Sequence, residues 1–177
     1  MKNQDLYDVF VEELGNMLSC ENQIIEALPD LIKMASSNDL REALASHLEE
    51  TENQIKRIEN IFSILELVPT DKNCIGMEGI LREGNEMLKG RSKNSTVDAI
   101  IINAAQKVEH YEMASYGTLR SFANTLDLDG DVVSLLQETL DEEGAADKKL
   151  TKIAVGTLFS QGVNSEAAEP SKNKRDE

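Results

Sequence analysis

Apolar residues recur every three or four positions through most of the chain, the spacing of helices that bury one face. Phe10, Leu14, Met17, Leu18, Ile25, Leu28 and Ile32 predict a first helix from about Asp5 to Ala35. Pro29 falls inside it and, lacking an N–H, should kink it or loosen one turn. The stretch Ser36 to Asp39 breaks the pattern, with Asp39 and Glu42 spaced as a capping box. A second helix follows through Leu40, Leu44, Leu48, Ile55, Ile58 and Phe62 to about Leu67, and Pro69 marks its end. From Thr70 to Ser95 the pattern weakens around four glycines, leaving a short helix near Met77 to Leu88. A third long helix is predicted from Ser95 or Thr96 to about Leu126. The stretch Asp127 to Asp131 is a turn without EF-hand ligand spacing, and a fourth helix runs from about Val132 to Leu158.

Two tight hairpins joined by a long connection predict an all-α fold, a ferritin-like four-helix bundle with one crossover. The bundle should occupy residues 1–160. Residues 161–177, polar and without periodicity, are expected to be a disordered tail. Composition agrees: 177 residues suit one domain, Trp is absent, and only three prolines occur.

The net charge of -15, with no basic patch, argues against nucleic acid as a partner. No run of about 18 apolar residues is present, so no membrane span is expected. The N-terminal stretch lacks the apolar core of a signal peptide. Cys20 and Cys74 match no C-x-x-C spacing and read as core or surface thiols. A reduced, cytoplasmic setting is the expectation.

Candidate chemistry lies in acids that interrupt the apolar stripes. At about 100° per residue, Glu21 shares the face of Leu14, Met17 and Leu28. Glu112 falls between Val108, Ser115 and Leu119, and Glu143 and Asp147 share the face of Leu136, Leu140 and Leu150. Glu52 sits at the edge of the second stripe, with Thr51 nearer the centre. One such glutamate alone is ordinarily a boundary residue whose head reaches water. Four converging carboxylates would repel one another and lose their solvation, a difficulty that bound divalent cations remove.

Spacing supports convergence. Glu21 to Glu52 and Glu112 to Glu143 are each 31 residues. Shifting the first hairpin by 91 positions lays Phe10 on Ile101, Met17 on Val108 and Leu28 on Leu119. The hairpins thus read as a repeat, with one Glu per helix, as in di-metal carboxylate bundles. Glu109, Glu49 and Asp147 lie one turn from members of the quartet and offer further ligands, or are solvated surface acids. The Glu-x-x-His pattern of di-iron bundles is missing, since Ile55 and Ala146 stand at those places. His110 points off its stripe, and His47 flanks the second one but lies five residues from Glu52, more than one helical turn away, so it is not counted among the expected ligands.

The stretches HLEETE, CIGMEGILREG, AAQKVEHYEMASYGTLR and LLQETLDEEGAADKKL resemble the YciF-like family of bacterial ferritin-like, stress-associated proteins, from Leu6 to about Ala154. The resemblance implies a rubrerythrin-related four-helix bundle, a homodimer, with two divalent metal ions in its core. Glu21, Glu52, Glu112 and Glu143 would be the main ligands, with Glu109 and Asp147 beside them. Iron or manganese would be the first candidates, with magnesium, calcium or zinc as alternatives, although an oxygen-only site is hard and favours manganese, magnesium or calcium over iron. Two functions remain open: a redox di-metal protein handling iron, oxygen or peroxide under stress, or a non-enzymatic stress protein in which metal is structural.

Overall fold

The computed structural model describes residues 5–70, 72–158 and 160–169. Its helices are α1 (Leu6–Met34), α2 (Asn38–Ile64), α3 (Ile75–Leu88), α4 (Ser95–Thr125) and α5 (Gly130–Val155). A two-strand ribbon, β1 (Gly156–Thr157) antiparallel to β2 (Ser160–Gln161), and a short α6 (Val163–Ala168) follow. The long helices form two hairpins, α1 with α2 and α4 with α5. They pack so that α1 also meets α4 and α2 meets α5, while α3, on the crossover, lies against α4 and α1. This is the ferritin-like bundle with one crossover. No helix among the described residues is long and apolar enough to cross a membrane.

The helix ends follow from local chemistry. Asp5 and Asn94 cap α1 and α4 by accepting from Asp8 N and Val97 N, which satisfies amides that have no intrahelical partner. Ser37, not the Asp39 of the expected capping box, caps α2 and accepts from Leu40 N at 3.3 Å. Pro29 stays inside α1 without ending it. Glu66 and Asp127 take left-handed φ values of 55° and 52°. The amides that follow them, Leu67 N and Leu128 N, reach back to Phe62 O and Ala123 O, closing α2 and α4 in Schellman turns.

One buried carboxylate ties the hairpins together. Asp98, in the first turn of α4, accepts from Ser36 N at 2.7 Å and Ser37 N at 2.9 Å, and from the Ser36 hydroxyl. It thus holds the turn between α1 and α2.

The C-terminal stretch departs from expectation. Residues 161–169 are ordered, whereas 170–177 lie outside the described residues. Gly156, at φ 80°, and Gly162 let the chain double back so closely that a Cβ on Gly162 would lie 2.3 Å from Gly156 N. That turn delivers Val163, which is buried, and α6 packs on α4 and α5. A single apolar anchor after a tight turn leaves no periodicity to detect.

Candidate metal centre

Midway along the bundle, the apolar core is interrupted by polar side chains from all four long helices. Glu21 comes from α1, His47, Thr51 and Gln54 from α2, Glu109, Glu112 and Tyr116 from α4, and Thr139 and Glu143 from α5, all of them buried. One ligand atom from each of His47, Glu109, Glu112 and Glu143 falls within 4.8 Å of the others. Glu21 lies beside Glu112 and receives the Tyr116 hydroxyl.

Helical spacing explains the clustering. Glu109 and Glu112 lie one turn apart on α4, as do His47 and Thr51, and Thr51 and Gln54, on α2. The Thr51 hydroxyl donates to His47 O at 2.8 Å, and the Gln54 amide donates to Glu143 and, at 3.1 Å, to Glu142 Oε2. Arg57 then pairs with Glu142 at 2.6 Å and Glu138 at 2.8 Å, outside the cluster.

No lysine or arginine among the described residues pairs with Glu21, Glu109, Glu112 or Glu143. The cation in reach is His47, whose Nε2 lies 3.7 Å from Glu109 Oε1. The acids therefore resist ionisation. Burial, with the Glu143 charge, pushes the Glu21 carboxyl up to about 8, against the pull of Tyr116. Burial and contact with Glu143 push Glu109 up to about 11. Burial, then Glu21 and Glu143, hold Glu112 well above the carboxylate range. Glu143 is raised by burial, although Glu109, His47 and Gln54 work the other way. For His47 burial favours the neutral ring, but Glu50, Glu143 and Glu21 together carry it above its ordinary value.

Several buried atoms here lack any hydrogen-bond partner: Glu21 Oε2, both His47 nitrogens, Gln54 Oε1, Glu109 Oε2, both Glu112 oxygens and Glu143 Oε2. Orphaned acceptors of this number are rare in folded proteins. A divalent cation would satisfy them, and the donor set of carboxylate oxygens with one imidazole fits manganese, iron or zinc.

Of the six acids expected from sequence, Glu21, Glu112, Glu143 and Glu109 come together. Glu52 is exposed on α2, and Asp147 sits at the rim, accepting from Gln106 at 3.0 Å and facing His110 at 3.3 Å. Glu49 is exposed as well. The reason for Glu52 lies in the turns. Glu21 and Glu112 stand equally far from the ends of α1 and α4, but three residues (35–37) join α1 to α2 and four (126–129) join α4 to α5. The structural counterpart of Glu143 is therefore Thr51, one residue before Glu52. One residue is about 100° of helix, enough to turn Glu52 out to solvent. The His47 imidazole and the Gln54 amide occupy the face that sequence spacing gave to Glu52.

Two openings reach the cluster. Ile24, Leu28, Leu81, Ala105 and Val108 line an apolar cavity of about 30 Å³ that ends at His47 and Glu109. A second cavity, of about 140 Å³, reaches the same two residues past Ala43, Glu50, Glu142 and Lys149.

A family model described as a domain of unknown function, DUF892, matches residues 5–168. Protein YciF of Escherichia coli (strain K12) is 41% identical over 165 residues, 93% of this chain and 99% of that protein. The crystal structure of the E. coli stress protein YciF superimposes with a TM-score of 0.80 at 43% identity, covering 88% of this chain and 96% of that one. YcfI from Rhodopseudomonas palustris superimposes with a TM-score of 0.82 at 39% identity, covering 86% and 97%.

Proposed function

The chain belongs to the DUF892 family, and we propose that it is a stress-associated di-metal carboxylate protein that handles iron, oxygen or peroxide at the centre of its bundle. The observation that carries this reading is the set of unpartnered buried acceptors on Glu21, Glu109, Glu112 and Glu143, uncompensated by lysine or arginine. Four ionised carboxylates balance the charge of two divalent cations, which removes both the repulsion and the burial penalty.

The residues divide the work unequally. His47, Glu109 and Glu143 would hold one ion, and Glu21 the other, with Glu112 facing both. Tyr116 orients Glu21 through its hydroxyl, and Gln54 orients Glu143, as outer hydrogen bonds commonly orient ligands. A bound metal pair would supply Lewis acidity and, with iron or manganese, a redox couple. The cavity between α1, α3 and α4 is lined mainly by apolar side chains, in keeping with oxygen or peroxide as the species handled. A homodimer in a reduced, cytoplasmic setting is the proposed working form.

Anaerobic reconstitution with Fe²⁺ or Mn²⁺, followed by metal analysis, tests the site. The expected content is about two ions per chain, largely lost in Glu112→Gln and retained in Glu52→Gln. Folded wild-type protein that holds only traces of metal, or Glu112→Gln that binds as well as wild type, would refute it. Consumption of oxygen or peroxide by the loaded protein then separates redox handling from a purely structural metal, which would leave both untouched.

A further inference from the structure

Cys20 and Cys74 stand 54 residues apart in the chain, both free and fully buried. They meet because α3 begins against α1. Cys74 is the N-cap of α3, and α1 grips its backbone on both sides. Its N–H donates to Ser19 Oγ at 3.0 Å, and its carbonyl accepts from Gln23 Nε2 at 3.2 Å. The Cys20 side chain lies beside the Cys74 sulfur.

A donor arrives from α4. Tyr111 Oη lies 3.2 Å from Cys74 Sγ while accepting from Asn16 Nδ2 at 3.3 Å, which leaves its own proton to point at the sulfur. Gly76 makes room for it, since a Cβ there would lie 2.8 Å from that oxygen. The amides of Gly76 and Met77, at the start of α3, add two more donors. Such surroundings stabilise a thiolate. The Cys20 contact, with Tyr111 and these amides and against the effect of burial, brings the Cys74 thiol down to about 6. Asn73 and Ile75, on either side of Cys74 in the chain, are exposed.

We propose that Cys20 and Cys74 form a peroxide-reactive dithiol, with Cys74 the attacking sulfur and Cys20 the resolving one. The Cys74 thiolate attacks one peroxide oxygen, the O–O bond breaks, and the other oxygen leaves as hydroxide, which takes up a proton to become water. Cys74 is then a sulfenic acid. Cys20 sulfur attacks the Cys74 sulfur, and the S–O bond breaks. The oxygen leaves as a second water with the Cys20 proton. Two thiols are oxidised to one disulfide and one peroxide is reduced to two waters. No metal takes part, so the inference stands apart from the function proposed for the carboxylate cluster. The bond would clasp the start of α3 to α1.

The test uses reduced, metal-stripped, full-length protein and hydrogen peroxide. Thiols are counted after denaturation, and unreduced digests are examined by mass spectrometry. The expected result is loss of both thiols together, a mass decrease of two hydrogens, a peptide joining Cys20 to Cys74, and reversal by dithiothreitol. In Cys20→Ser, Cys74 should stop at a sulfenic acid that a dione reagent traps. In Cys74→Ser, Cys20 should oxidise at least about tenfold more slowly, as a buried thiol without the Tyr111 donor. Survival of both wild-type thiols, a disulfide formed only between chains, or unchanged oxidation of Cys20 in Cys74→Ser would overturn the proposal. The wild-type measurement decides even if a variant fails to fold.

Discussion

Raising the pH should destabilise the metal-free protein across a range where most proteins are indifferent. Stability changes with pH in proportion to the protons bound by the unfolded chain minus those bound by the folded one. Glu21 and Glu109 hold their protons to about 8 and about 11 when folded, against 4.5 for an unperturbed glutamate. Between pH 5 and pH 7 each therefore carries a proton that the unfolded chain has released. The difference is negative, so stability falls as pH rises, by about 1.3 kcal/mol per pH unit for each group. Over those two units the two groups together lose about 5 kcal/mol. For a chain of this length that is a fall of about 10–20 °C in melting temperature. Glu112, Glu143 and His47, also raised, act in the same direction. Thermal melts in chelator at half-unit steps from pH 5 to 8 read the effect directly. Glu109→Gln should flatten the slope and Glu52→Gln should not, which separates the cluster from the general repulsion of an acidic surface. With saturating Mn²⁺ the cation replaces the protons, so the stabilisation by metal should widen as pH rises. A flat or rising metal-free curve, or a slope that Glu109→Gln leaves intact, would refute the account of the buried acids.

The turn-length argument predicts that Thr51→Glu places a fourth helix's carboxylate where Glu143 has its counterpart. Melting with and without Mn²⁺ should show a metal-free variant less stable than wild type and a larger gain on metal binding, and Glu52→Asp should show neither. Val163→Ala removes two buried methyl-sized groups from the contact of α6 with the bundle and should cost about 2 kcal/mol in urea unfolding. No change would mean that residues 161–177 contribute nothing to stability.

The helices and their core faces were legible because each long helix buries a stripe of regular period. Glu21, Glu112 and Glu143 were legible for the same reason, as polar interruptions of those stripes, and Glu109 only as an acid one turn before Glu112. Glu52 was drawn in by equal chain spacing, but spacing along the chain is not spacing along the bundle when one turn is a residue shorter. Thr51 stood nearer the centre of the stripe, and its hydroxyl gave no sign of metal chemistry. His47 flanked its stripe, and Gln54 drew no notice because an amide in a core resembles any satisfied polar residue. The approach of Cys20 to Cys74 depends on where the crossover lands, which no local periodicity encodes. The fold of residues 161–169 rests on two close-packed glycines and one valine, too few residues to make a pattern.

Asp98 gives the molecule a property that neither hairpin has alone. Its three hydrogen bonds run from the first turn of α4 to the backbone and side chain at the end of α1 and the start of α2. Separating the hairpins would strand a buried carboxylate and take from two amides their acceptor at once, the first an expensive loss. Partial opening of one half is therefore penalised at the end of the bundle as well as at its polar middle. Two look-alike halves become a single cooperative unit, in which amides of the α1–α2 hairpin and of α4 should exchange with solvent through the same global event.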